Sequence, residues 1–169
     1  MRNVRGYSVV EVLVGIGILL ILGSLFVAGY TKYLPVAAKA RCLANMRGLH
    51  VAFQGYVEDN NMWPQQPDQL NDDDKLYDNF WIACLRPYTD TEKVWLCPVL
   101  EKAKLKGVQG DLLKVHYLPT MFDANPRSMY RWPKQPWLIE MANAHGAGGH
   151  ILFPDGSIRT IHDVVDRVR

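Results

Sequence analysis

Three features of this 169-residue chain predict an α+β fold, a long N-terminal α-helix packed on a small antiparallel β-sheet. Val12 to Tyr30 contains no charged side chain and is long enough for a helix that is greasy all round. Beyond it, Cys42, Met46, Leu49, Phe53 and Tyr56 recur at spacings of four, three, four and three, which is one apolar stripe on a continuing helix. Near the other end, His150-Ile151-Leu152-Phe153 and Ser157-Ile158-Arg159-Thr160-Ile161 read as two strands. They are joined through Pro154-Asp155-Gly156, a hairpin signal because aspartate and glycine accept turn conformations.

The first helix begins as a membrane-length element. A hydrocarbon core about 30 Å thick needs ~20 apolar residues in helix, and the run is interrupted only by Gly15, Gly17, Gly23, Ser24 and Gly29. Ser24 and Ala28 form a small-xxx-small pair suited to close helix approach, although glycine is also simply common in membrane helices. Glu11 is the odd residue. A carboxylate costs up to ~2.5–3.5 kcal/mol at a bilayer centre and less near its edge, so it needs a partner or a route to the headgroups.

Charge orients this element. The chain has 19 Lys and Arg against 17 Asp and Glu; Arg2 and Arg5 supply the whole excess, leaving 17 against 17. That balance argues against bulk nucleic-acid binding, and no nucleic-acid partner is expected. Basic residues before the run predict a cytoplasmic N-terminus and an exported C-terminal domain, with Lys32, Lys39 and Arg41 pulling the other way. Ala37, Ala38 and Ala40 resemble a signal-peptide cleavage site, but the apolar run is too long for an ordinary signal core and Glu11 interrupts it. In an oxidising compartment Cys42, Cys84 and Cys97 allow one disulfide and one spare thiol, with the pair undetermined; Cys42 on the stripe is equally suited to be a packed thiol.

The helix is expected to run from about Ser8 to Glu58, bent where Pro35 removes a hydrogen bond, and to end at Asp59-Asn60-Asn61 before Pro64. Asn60 to Asp78 reads as a polar surface loop. Its run Asp72-Asp73-Asp74 lacks the alternating spacing and glycine of a calcium loop. Phe80 to Leu85 reads as a short helix, and Lys93 to Cys97 as a short strand stopped by Pro98. Glu101 to Lys106 is helix-compatible until Gly107 and Gly110. Val115 to Trp137 fits loops and edge strands, and Trp137 to Met141 reads as a strand. Tyr117, Tyr130, Trp132 and Trp137 are either core residues or a sugar- or peptide-binding platform.

Catalytic patterns are thin. His145, His150, Asp155 and His162 invite a metal or hydrolase reading, but no His-x3-His helix spacing exists and Asp155 already serves as a turn former. The chain has no Gly-x-Ser-x-Gly elbow, paired Cys-x-x-Cys zinc site or phosphate loop. The expectation is therefore no enzyme, no cofactor and no metal.

Gly6-Tyr7-Ser8-Val9-Val10-Glu11-Val12-Leu13-Val14 resembles the prepilin cleavage motif of type IV pilins and type II secretion pseudopilins, with tyrosine in place of the usual phenylalanine. His145, nine intervening residues and Asp155-Gly156 resemble the H-x9-DG signature of a prepilin-like family. Cys42 to Arg47, Tyr56 to Asn61 and Trp95 to Pro98 match further patterns of that family in order. The resemblance implies a pilin-like fold divided into a leader (1–6), a membrane and filament-core helix (7–30), its amphipathic continuation (31–58) and a globular domain (59–169). It also implies that a prepilin peptidase cuts after Gly6, that the new amine of Tyr7 is methylated, and that Glu11 is the counter-charge for a neighbouring subunit's amine. The partners implied are the lipid bilayer, further copies of the chain in a helical filament, and an inner-membrane assembly platform with its ATPase. The location implied is the inner membrane, single-pass, with the C-terminal domain periplasmic or extracellular. A secretion pseudopilin is the expected function, with a type IV pilus subunit, a membrane-anchored binding module and a metal-dependent exported enzyme as rivals.

Overall fold

A computed structural model describes residues 8–104, 114–141 and 148–166. It is α+β, with a long N-terminal helix, shorter helices and a four-stranded antiparallel sheet. Helix α1 is Val9–Asn60 and contains Pro35; the chain divides into two compact units, Met1–Ala37 and Ala38–Arg169.

The described part of the first unit is helix alone. Ser8 offers its carbonyl to the Val12 N–H at 3.2 Å, opening the ladder. Ser24 turns its hydroxyl back onto the Ile21 carbonyl at 2.8 Å, so its polar atom is satisfied within the helix. Val9, Leu13, Leu19, Leu20, Leu25 and Phe26 all expose more than half of their surface.

In the second unit, α1 presents the predicted stripe to a core. Cys42, Met46, Leu49 and Phe53 are buried, and Ala52 and Val57 join them, while Tyr56 is half-buried at the edge. The helix ends two residues later than expected, with Asn61 in the left-handed conformation (φ 55°) and its N–H on the Val57 carbonyl at 2.8 Å. Phe53 is the centre of an aromatic cluster: it stacks on Trp63 at 4.4 Å and lies 5.9 Å from Trp81 and 6.2 Å from Trp95. Trp137 completes the set, 5.1 Å from Trp63, and all four tryptophans are buried.

Those indoles explain two departures from expectation. The segment after Asn60 is not simply a surface loop, because Trp63, Pro64 and Gln66 are drawn inside; Gln66 accepts from the Trp81 indole N–H at 3.0 Å. A 3-10 turn follows at Asp68–Asp72, then helix α2 at Asp74–Leu85, whose cap is Asp73: its Oδ1 accepts from the N–H groups of Lys75 and Leu76 at 2.9 and 3.1 Å. The acidic run thus starts a helix. The expected strand over Lys93–Cys97 is a 3-10 turn, Glu92–Trp95, followed by helix α3, Pro98–Lys104. Pro98 opens that helix, where its missing N–H costs nothing. The segment needs no strand partner, since Trp95 accepts from the His116 N–H, Leu96 accepts from the Asn45 amide, and the Cys97 N–H donates to His116 Nδ1.

The sheet is a meander of three-residue strands in the order β1 (Tyr117–Pro119), β2 (Leu138–Glu140), β3 (His150–Leu152) and β4 (Ile158–Thr160). Its registers pair Tyr117 with Glu140, Leu138 with Leu152, and His150 with Thr160. Proline is tolerated in β1 because that strand is an edge. Helix α4 (Ser128–Arg131) buries Met129, whose carbonyl accepts from the Trp137 indole at 3.1 Å. Helix α5 (Ile161–Val165), unread in the sequence, starts at a reciprocal cap between Thr160 and Asp163.

Candidate functional site

The predicted functional segment opens on α1. Val9–Phe26 is an 18-residue stretch of mean hydropathy 2.6 with none of it buried, long and apolar enough to cross a membrane. Glu11 lies in the first turn of this helix with its side chain exposed. A carboxylate suits a helix N-terminus, where free N–H groups carry partial positive charge. Gly6, Tyr7, Arg2 and Arg5 lie outside the described residues, as do the side chains of Ala28 and Lys32.

The second predicted constellation is the Asp155-Gly156 turn. The Gly156 N–H donates to the Phe153 carbonyl at 3.0 Å, and the Phe153 N–H to the Ser157 carbonyl at 2.9 Å. Asp155 Oδ1 accepts from the Ser157 N–H at 2.9 Å, and Ser157 beside it holds the carboxyl below the usual range. Gly156 has φ +76°, and a Cβ there would meet His50 Cε1 at 3.3 Å. His50 Nε2 donates to the Pro154 carbonyl at 3.0 Å, and its ring lies 4.9 Å from that of Trp137. The turn is therefore a docking point between the hairpin and the second part of α1. His145, the first residue of the H-x9-DG pattern, lies outside the described residues.

The cysteines, separate in sequence, divide in space. Sγ of Cys42 and Sγ of Cys97 are 2.8 Å apart, both wholly buried, and together with a Glu140 carboxylate oxygen they fall within 4.8 Å of one another. Cys84, on α2, is half-buried near Tyr56. Glu140 accepts from the His150 N–H at 3.0 Å and pairs with His150 Nδ1 at 2.6 Å, so His150 is held by a carboxylate inside the sheet. Tyr117 lies beside Cys42 in the core; its hydroxyl is pushed up by burial first and by Cys42 second. Cys97 is pushed up by its hydrogen bond with Cys42 and then by burial, the opposite of an activated nucleophile.

The cluster has the ligand types of a metal site but not the spacing. Two thiolates on one tetrahedral zinc, each at about 2.3 Å, stand roughly 3.8 Å apart, about 1 Å more than Cys42 and Cys97 do. The aromatic platform is also divided: Tyr117 and Trp137 are core residues, whereas Trp132 and Tyr130 are exposed. His50, His116 and Glu140 were not legible as site residues, because each acts through a partner distant in sequence.

Burial gives this domain an alkaline limit. Burial pushes Tyr77 up to about 12, and Tyr117 and Tyr56 also rise, burial first in each. A group whose folded value is raised contributes stability that is complete below its unfolded value, near 10 for tyrosine, and lost as pH climbs through the folded value. The thermal midpoint of the full chain in detergent is expected to hold at neutral pH and to fall by several degrees between about pH 10 and 12. A flat profile across that window would refute the burial argument.

The chain is thus an α+β protein with one N-terminal helix of membrane-spanning length and a globular domain knit by buried polar pairs. No family model, curated protein or solved structure matches it.

Proposed function

We propose that this chain is a structural subunit of a type II secretion-type filament, a pseudopilin matured by a prepilin peptidase. The observation that carries the reading is the apolar helix Val9–Phe26, none of it buried, with Glu11 at its start, in one chain with a domain of its own core. So large an apolar surface requires a bilayer or the apolar flanks of other subunits. A filament subunit uses both in turn. The helix holds it in the inner membrane with the N-terminus cytoplasmic and the C-terminal domain exported, until a platform and its ATPase move it into the filament.

Glu11 makes the exchange specific. Cutting after Gly6 leaves Tyr7 with an α-amine whose reference pKa is about 7.7–8.0, so it is cationic near neutral pH and as costly to bury as the carboxylate. Pairing the amine of one subunit with Glu11 of its neighbour relieves both charges and sets axial register. Catalysis by this chain forms no part of the reading. A membrane-anchored binding module is the second reading, favoured by exposed Trp132 and Tyr130 beside Arg127 and Arg131 at one surface pocket; a type IV pilus subunit is a variant of the first.

The N-terminal mass of the protein purified from its own membranes tests the proposal. A chain starting at a methylated Tyr7 is expected. Intact Met1, or a start at Ala38 or later, would sink it.

A further inference from the structure

We propose that Cys42 and Cys97 are joined by a disulfide that ties the second part of α1 to the segment leading into α3, leaving Cys84 as the one thiol. The sulfurs already stand 2.8 Å apart. Carbon atoms in contact sit about 3.5–4.0 Å apart and sulfur is larger, so this separation is too short for two thiols at rest and short also for two ligands of one zinc. The remaining movement to a bonded pair at about 2.05 Å is under 1 Å.

The backbone on both sides is held independently of the sulfurs. Asn45, one turn after Cys42, donates its amide to the Leu96 carbonyl at 2.8 Å, and the Cys97 N–H donates to His116 Nδ1 at 2.9 Å. These bonds bring the pair together whether or not it is oxidised, which is the preorganisation a disulfide needs. Both sulfurs are wholly buried while Cys84 is half-buried, so an oxidant meets the pair before the core closes and the bond forms during folding.

Closure is a two-electron oxidation. A thiolate from one cysteine attacks the disulfide of a thiol–disulfide oxidoreductase, forming a mixed disulfide and releasing one oxidant thiol. The second cysteine then displaces the other, so the oxidant leaves as a dithiol with the two protons and two electrons lost by the pair. For the oxidising compartment alone, this inference rests on the exported topology proposed above. The link closes a loop across 55 positions, and its loss is expected to lower the folded-to-unfolded ratio about 30- to 1,000-fold.

The test uses the full-length protein from native membranes, denatured without reductant in the presence of an alkylating agent and then digested. One alkylated cysteine, Cys84, and a Cys42–Cys97 peptide pair that separates on reduction are expected. Three alkylated cysteines would overturn the link, as would a zinc ion at one per chain with Cys42 and Cys97 both alkylated. The N-terminal mass of the same sample keeps the two proposals apart. Three free thiols on a chain starting at Tyr7 overturn the disulfide alone, whereas the linked pair on a chain starting at Met1 supports it and overturns the filament reading.

Discussion

In the filament proposed above, replacing Glu11 by alanine is expected to leave leader removal and membrane insertion intact and to cut filament yield by about a hundredfold or more, because on that reading an incoming amine is then buried without its counter-ion. Breaking one side of a buried ion pair costs about 3–5 kcal/mol, and even the lower figure exceeds two decades in an assembly equilibrium. Alanine favours both helix and bilayer, so the change harms neither the helix nor its anchorage. Glu11 is exposed at the first turn of an otherwise uncharged stretch, and no contact among the described residues gives it a role in the isolated subunit. The competing account sends its carboxylate to the lipid headgroups with no further task. Sheared filaments quantified beside the membrane pool separate the two: normal filaments from the E11A strain would leave Glu11 only the headgroup role. A substitution at Gly6, in contrast, should stop processing itself.

Phe53→Ala is expected to destabilise the globular domain by about 3–5 kcal/mol, the usual cost of removing a buried aromatic side chain and leaving its cavity. Phe53 has no exposed surface and touches three of the four buried tryptophans, so the loss opens a hole where α1 meets the rest of the core. The surrounding indoles have little room to collapse into it, since Trp81 and Trp137 are each tied by an indole hydrogen bond, to Gln66 and to the Met129 carbonyl. Against a total stability of about 5–15 kcal/mol, this change leaves a marginal domain. Tryptophan fluorescence of the full chain in detergent, followed through a denaturant titration, reads it directly. A loss below about 1 kcal/mol would mean that Phe53 is not the keystone of the aromatic cluster.

The elements readable in the sequence are those whose signal is local. The apolar stripe on α1 appears because a helix returns to the same face every three or four residues, and Cys42, Met46, Leu49 and Phe53 are buried together as that period requires. The hairpin is legible from Pro154-Asp155-Gly156 because a turn depends on its own residues, and Gly156 adopts the positive φ that glycine permits. Lys93–Cys97 reads as a strand for the same reason: its short apolar run, stopped by Pro98, carries no record of whether a neighbour is there to pair with. Here His116 and Asn45 satisfy its backbone, and the 3-10 turn follows.

The amino-acid sequence by itself determined the α+β class, the place and length of the apolar helix, the odd carboxylate at its start and the hairpin, all consequences of spacing within a few residues. Only the tertiary structure decided which cysteines meet, that Glu140 holds His150, that His50 anchors the Asp155-Gly156 turn, and that Tyr117 and Trp137 belong to the core. Cys42 meets Cys97 across 55 positions and His50 meets Pro154 across 104. Such contacts form when distant elements pack together, and no local periodicity encodes which of several suitable side chains will be brought face to face.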